Sequence, residues 1–151
     1  MTATGAAALA RRSADLDRWF ADQVEENPAV LTVERPLPGP HWFVRMKGEE
    51  KDVYTVRFHL GQRTLSYETY FMPAPEENGA QLHEHLLRRN AKLYGGSFWI
   101  GEEDAIFLGG QIGADHLDAD EIDRILGSIY AWVERCFRPA LRIGFASRFP
   151  A

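Results

Sequence analysis

The stretch from Leu82 to Phe137 constrains the fold more than any other part of this sequence. Apolar residues recur at helical spacing from Gln81 to Tyr94, and a glycine pair follows as a stop signal. The segments 97–100 and 105–108 are apolar and flank a four-residue turn, which predicts a hairpin. An acidic group then opens a long amphipathic segment. The stretch therefore predicts a helix, a hairpin and a second helix, in that order.

The last predicted helix has the clearest apolar stripe in the chain. Asp118 with Glu121 three residues later resembles a capping box, and the acidic first turn suits the helix dipole. Pro139 is predicted to close this helix, and the alternating segment 141–145 is predicted to form a strand. The apolar residues at spacings of three and four are Ile122, Ile125, Leu126, Ile129, Trp132, Val133, Cys136 and Phe137.

The first half of the chain predicts a helix followed by an antiparallel meander. An amphipathic stripe from Leu9 to Val24 indicates the helix, and Val30–Val33 is interpreted as a short edge strand. Three alternating strands are predicted at 41–47, 53–60 and 64–72. The predicted fold is α+β, a twisted antiparallel sheet of about five strands packed by helices in the order α-βββ-α-ββ-α.

Length and composition set the predicted organisation and location. The 151 residues indicate one domain at 9–137, preceded by a flexible lead-in at 1–8 and followed by a tail at 138–151. A net charge of −5 argues against a nucleic-acid partner. The single cysteine, Cys136, allows no intrachain disulfide. We find neither a secretory signal nor an apolar run of membrane-spanning length, so we predict a cytoplasmic protein without membrane association.

Four segments in the second half of the chain resemble the YbjN family, whose fold is similar to that of type III secretion chaperones. They are Leu86–Leu93, Gly95–Ile100, Ile106–Leu108 and Leu117–Ile122. The resemblance covers about residues 67–137, while the proline-rich linker 36–40 and the tail depart from it. It implies a small cytoplasmic protein that pairs with itself, binds proteins or modulates signalling, and has no catalytic residues to carry over.

The residues that could carry chemistry favour structural roles. His83 and His85 flank Glu84, but residues two apart on a helix point about 200° apart, so they cannot share a metal. Cys136 lies on the apolar stripe and is predicted to be a buried small hydrophobe. The run Gly109-Gly110-Gln111-Ile112-Gly113 does not match GxGxxG and leads into acidic residues, so we interpret it as a strand bulge or turn. We predict no cofactor, no metal and no catalytic residue.

Two charged regions and the tail suggest interaction surfaces. Arg88, Arg89 and Lys92 either complement the negative end of their helix or form a docking patch. The residues 102–104 are predicted to be a solvated hairpin tip. The tail carries a charge of +3, and its alternating apolar residues could add a strand to a sheet edge.

The leading hypothesis is a non-enzymatic protein-binding module, chaperone-like or regulatory, that works as a homodimer and captures a partner polypeptide on apolar sheet and helix surface. The alternatives are a small-molecule sensor, a hydrolase that uses a histidine and a carboxylate, and a structural subunit of a larger assembly. The predicted partner contacts are Trp42, Phe71, Leu87, Arg88, Arg89, Trp99 and Phe107.

Overall fold

The computed structural model describes residues 3–149 and consists of three α-helices and six strands. Short 3₁₀ turns lie at Glu102–Asp104, Ala114–His116 and Ala146–Arg148. The elements in chain order are α1 (Ala3–Glu26), β1 (Val30–Glu34), β2 (His41–Lys47), β3 (Val53–Leu60), β4 (Thr64–Met72), α2 (Gly79–Asn90), β5 (Ser97–Ile100), β6 (Ile106–Gly113) and α3 (Ala119–Gly144).

All six strands form one antiparallel sheet in the order β1-β2-β3-β4-β6-β5. The α+β class and the antiparallel sheet are therefore confirmed, and the sheet has six strands where about five were expected. Because successive sheet neighbours from β1 to β4 are joined by short turns, this half is the predicted meander. The order leaves β1 and β5 as the two edges, and β5 has only four residues.

The core lies between the three helices and one face of the sheet. Alternate residues of the strands are buried, which is the period of a sheet covered on one side. Phe20 of α1 packs between Trp42 and Phe58, with ring centroids 5.8 and 4.8 Å away. Elsewhere in the core, the ring centroid of Phe71 lies 4.8 Å from that of Phe98 and 5.7 Å from that of Phe137. These aromatic contacts join the helix layer to the central strands.

Helix α3 begins at the cap that the sequence predicts. The Asp118 carboxylate accepts a hydrogen bond from the Glu121 backbone N–H at 2.7 Å, which satisfies one of the free donors of the first turn. Beyond the cap, α3 buries Ile122, Ile125 and Leu126 along its first turns.

Replacing Asp118 with Ala should reduce the free energy of unfolding by about 1 kcal/mol, because the first turn of α3 loses a hydrogen-bond acceptor. Urea denaturation followed by circular dichroism measures the change. Asp118→Asn, which keeps an acceptor oxygen, should stay close to the parent protein, and equal losses in both variants would show that the cap is not the cause.

The end of α3 corrects the prediction for the tail. Pro139 lies inside the helix, which continues to Gly144, so the predicted strand at 141–145 is wrong. The loop before α2 satisfies the carbonyl groups at this end: the backbone N–H groups of Glu76 and Glu77 donate to the Gly144 carbonyl, and Asn78 Nδ2 donates to the Ile143 carbonyl. These tertiary contacts outweigh the hydrogen bond that proline removes, and the sequence pattern does not reveal them.

Two other helix ends differ from the prediction. Helix α1 starts at Ala3, so the described part of the predicted lead-in 1–8 is helical, while residues 1 and 2 lie outside the described residues. Helix α2 ends at Asn90 and does not reach Tyr94. Within residues 3–149, no helix is both long enough and apolar enough to span a membrane.

Candidate functional site

An apolar groove lies between helix α2 and the edge strand β5. Its volume is about 270 Å³. We call it the α2–β5 groove, and the residues that line it are His83, Leu86, Leu87, Phe98, Trp99, Ile100 and Ile106. Leu87 is 67% exposed, Ile100 50% and Trp99 37%, which is unusual for three large apolar side chains gathered at one sheet edge.

The groove exists because α2 covers only part of β5. Leu82 and Leu86 of α2 are buried, whereas Leu87 lies one residue further round the helix and points away from the core. On β5, Phe98 is buried, but Ile100 on the same side of the strand lies largely uncovered. Alternation along a strand places Phe98 and Ile100 on one side, but it cannot show that the helix layer ends before reaching Ile100.

The side chain of Asn90 protects the outer edge of β5. Its amide donates to the Phe98 carbonyl at 3.1 Å, and its side-chain oxygen accepts from the Phe98 N–H at 2.7 Å. The amide therefore occupies the position that a neighbouring strand would take. Because β5 contains neither a charged residue nor proline, this pair of hydrogen bonds is its main protection against unwanted pairing.

Replacing Asn90 with Ala should lower the free energy of unfolding by about 1–2 kcal/mol, because two backbone groups of β5 lose their partners. The freed edge should also promote self-association that rises with protein concentration. Urea denaturation and light scattering measure the two effects. The matched variant Asn90→Asp keeps the side-chain acceptor oxygen and loses the N–H donor. Its free energy of unfolding should lie between those of the parent protein and Asn90→Ala. If Asn90→Ala has the same urea midpoint and the same mass in light scattering as the parent protein, Asn90 does not protect the β5 edge.

The residues that line this groove do not include a histidine–carboxylate pair or a reactive cysteine. His83 Nε2 is buried at the groove without a hydrogen-bond partner, while His85 does not line it. Among residues 3–149, no group of three or more metal-binding side chains converges, and no ion pair joins a histidine to a carboxylate. Cys136 is buried as predicted, and burial raises the pKa of its thiol, so little thiolate forms at neutral pH.

The structure divides the predicted contact residues into two groups. Leu87 and Trp99 line the α2–β5 groove, and Phe107 stacks on Trp99 with ring centroids 6.0 Å apart and planes 15° apart. Trp42 and Phe71 are fully buried in the core, so neither offers surface to a partner. The Trp42 indole also donates to Asp17 at 2.7 Å. Large aromatic residues at alternating positions predict the covered face of a sheet, and the sequence could not separate covered from exposed ones.

The basic residues of α2 lie beside the groove. Arg88 contacts Glu84 at 3.3 Å in an exposed ion pair that contributes little to stability. Among the described residues, Arg89 and Lys92 have no ion-pair partner, so they remain available to an acidic ligand. Ile100 and His83 are groove residues that were not among the predicted contacts; the sequence raised His83 as a metal ligand or as the histidine of a hydrolase.

The glycine run of β6 also differs from the prediction. Gly109 and Gly110 lie inside a regular ladder, opposite Glu68 and Tyr67, so the predicted bulge or turn at these positions is wrong. A Cβ atom at Gly109 would lie 2.0 Å from the Tyr67 carbonyl oxygen. Close approach of the β4 and β6 backbones explains this glycine.

Comparison with known proteins identifies the family. A family model described as "Putative bacterial sensory transduction regulator" matches residues 40–141, which is more than half of the chain. The chain belongs to the YbjN family. The match covers β2 to most of α3 and includes every residue that lines the α2–β5 groove.

Several relatives come from mycobacteria. Uncharacterized proteins of Mycobacterium tuberculosis and Mycobacterium bovis are 33% identical over 117 residues, which is 76% of this chain and 64% of theirs. An uncharacterized protein of Mycobacterium leprae is 31% identical over 104 residues, 69% of this chain and 56% of its own length. This YbjN-family chain thus spans less than two thirds of the length of these mycobacterial relatives. The names of the relatives record no activity.

Proposed function

We propose that this YbjN-family protein is a non-enzymatic protein-binding module, chaperone-like or regulatory, that captures a partner polypeptide in the α2–β5 groove. The observation that carries the proposal is the exposure of Leu87, Trp99 and Ile100 around one apolar depression at a sheet edge. Such clusters of exposed apolar residues mark interaction sites in soluble proteins. The family's description as a regulator of sensory transduction agrees with a binding role.

The partner segment should combine apolar and acidic residues. Apolar side chains would fill the groove and contact Leu87, Trp99 and Ile100, because fully desolvated aromatic and aliphatic anchors supply most of the affinity of an interface. Acidic residues beside them would meet Arg88 and Arg89 on α2 and Lys92 just after its end, which follow the groove residues in the sequence. Charges at the rim of an interface mainly raise the association rate and fix orientation.

We also propose that the protein works as a cytoplasmic homodimer. The two ends of β5 carry opposite charge: Arg88, Arg89 and Lys92 precede it, and the acidic turn Glu102–Asp104 follows it. A two-fold axis across this edge would place each basic end against the acidic turn of the other copy. This self-complementary charge arrangement supports a dimer held by charged side chains beside the groove, with the β5 backbone still bonded to Asn90.

A tagged pull-down under native conditions, with mass spectrometry and light scattering of the eluate, tests the proposal. The expected result is one stoichiometric polypeptide together with this chain at twice its mass of 17.1 kDa. A monomer that brings no stoichiometric partner would contradict both the binding role and the dimer. A dimer without a partner would contradict the binding role alone.

A further inference from the structure

The face of the sheet opposite the helices carries a second, polar groove. The helices pack on the face that holds Trp42, Val56 and Leu108, and the alternate residues point to the other face, which we call the open face. A groove of about 800 Å³ crosses the open face, within the size range of small-molecule sites. The side chains that line it include His41, Arg57, His59, Ser66, Glu68, Trp99 and Gln111.

The middle of this open-face groove is shallow because β6 contributes glycine there. Gly109 lies in register between Ser97 of β5 and Glu68 of β4. Since no side chain rises from β6 at this position, a ligand can lie directly on the strands. The groove reaches from β2 to β5, and neighbouring strands are about 4.8 Å apart, so it suits an elongated ligand.

One end of the open-face groove is electropositive. The rings of His41 and His59, which are cross-strand partners, stack with centroids 4.5 Å apart and planes 21° apart. Partial burial is the largest cause that lowers the pKa of His41, and electrostatic repulsion from His59 is the second largest. The guanidinium groups of Arg57 and Arg35 act in the same direction. Arg35 is ion-paired with Asp17 at 3.1 Å, so Arg57 supplies the positive charge that a ligand can reach at this end.

Arg57 is only loosely engaged within the protein. Its guanidinium lies 3.9 Å from the Glu68 carboxylate and 5.3 Å from the centre of the Phe43 ring, so its donors stay accessible. The acidic residues of the six strands are Glu34 and Glu68, whereas the basic ones are Arg45, Lys47 and Arg57. The strands thus carry one more basic than acidic residue on a chain whose net charge is −5, so this surface is less acidic than the rest of the chain and is the better place for an anionic ligand.

The other end of the open-face groove is aromatic. Trp99 borders the groove and is held by parallel stacking on Phe107, whose ring meets Tyr70 edge-on at 5.7 Å. A tryptophan fixed in this way is a platform on which a flat heterocycle can stack. Ser66 and Gln111 add hydrogen-bonding groups between the two ends.

We propose that the open-face groove binds a nucleoside di- or triphosphate, with the base on Trp99 and the phosphates against Arg57, His41 and His59. Arginine is suited to phosphate because its planar donors bind two oxygens at once. A ligand with an aromatic ring at one end and negative charge at the other matches the two ends of the groove. This site lies on the open face and shares Trp99 with the α2–β5 groove, whereas its phosphate end at Arg57, His41 and His59 is separate from that groove.

Calorimetric titration of the full chain with ADP, adenosine and inorganic pyrophosphate tests the proposal. ADP should bind, and adenosine and pyrophosphate should each bind at least about tenfold more weakly, because each lacks one half of the ligand. No binding of ADP at about 1 mM would overturn the proposal. Equal binding of pyrophosphate and ADP would overturn the nucleotide class, since it would show a simple anion site.

Variants locate the site and separate it from the α2–β5 groove. Arg57→Gln and His59→Gln should each weaken ADP binding about tenfold, since Arg57→Gln removes a charge-assisted contact to phosphate and His59→Gln replaces the imidazole ring at the phosphate end. The matched control Arg45→Gln removes an exposed cation from the same face outside the groove and should leave the affinity unchanged. An equal loss of ADP affinity in Arg45→Gln would show that ADP binds through the overall charge of this face and not in the groove, which would overturn the proposed site. Chemical shifts induced by ADP should cluster at residues 41, 57, 59 and 111, and shifts confined to residues 83–87 would also overturn the proposal.

Discussion

Replacing Leu87 with Asp should abolish capture of the partner polypeptide while the protein stays folded. Leu87 is 67% exposed, so its replacement should change the free energy of unfolding by no more than about 0.5 kcal/mol. A carboxylate in the α2–β5 groove would meet the apolar side chains of the partner and lose its own hydration. Loss of an interface anchor of this kind costs about 2 kcal/mol or more, which corresponds to roughly 30-fold in affinity.

The control for this variant is Leu37→Asp. Leu37 is 44% exposed and lies between β1 and β2, at the opposite edge of the sheet from the groove. The substitution makes the same chemical change at a similar exposure, and binding should persist. Affinity is measured on the recovered partner, and circular dichroism monitors folding. Loss of helical signal in Leu87→Asp would show a core role for this residue, and equal loss of binding in both variants would contradict the groove.

Replacing Gly109 with Ala should be among the most destabilising single substitutions in the sheet. The added Cβ atom would lie 2.0 Å from the Tyr67 carbonyl oxygen and 2.7 Å from the Glu68 Cα atom. Both atoms belong to the backbone of β4, so relief requires the β4 and β6 strands to separate. We expect a loss of about 3 kcal/mol, the upper end for overpacking, and a fall in Tm of roughly 6–12 °C.

Gly127→Ala is the matched control for Gly109→Ala. Gly127 lies on the exposed side of α3, and a Cβ atom there would meet nothing within 4 Å. Because glycine is a poor helix former, this substitution should raise the free energy of unfolding by about 0.5–1 kcal/mol. Urea denaturation of both variants measures the difference. A Gly109→Ala variant within about 0.5 kcal/mol of the parent would contradict the close approach of β4 and β6.

Local patterns were sufficient to predict most of the sheet and the start of α3. The alternation of 41–47, 53–60 and 64–72 indicated both the strands and their buried faces, and the acidic residue at 118 indicated the cap. These features depend on neighbouring residues in the chain. For the same reason His41 and His59 could be predicted as cross-strand neighbours.

Features that depend on distant residues were not predictable in this way. The helix continues past Pro139 because a loop some 65 residues earlier bonds to its last carbonyl groups. Helix α2 ends at Asn90, whose side chain bonds to the β5 backbone. The exposure of Leu87 and Ile100 depends on where the helix layer stops, and the burial of Trp42 and Phe71 depends on what covers them. Periodicity indicates which side a residue faces, and only tertiary structure shows what lies on that side.

Site-specific photo-crosslinking in cells shows which surface of the protein touches the partner polypeptide. A photoreactive amino acid is placed at position 87 or 100 in the α2–β5 groove, and at position 37 as the control at the opposite edge. Both groove positions should crosslink to the same polypeptide, and position 37 should not. Groove positions that give no product, or the same products as position 37, would contradict the assignment of this groove as the partner-binding site.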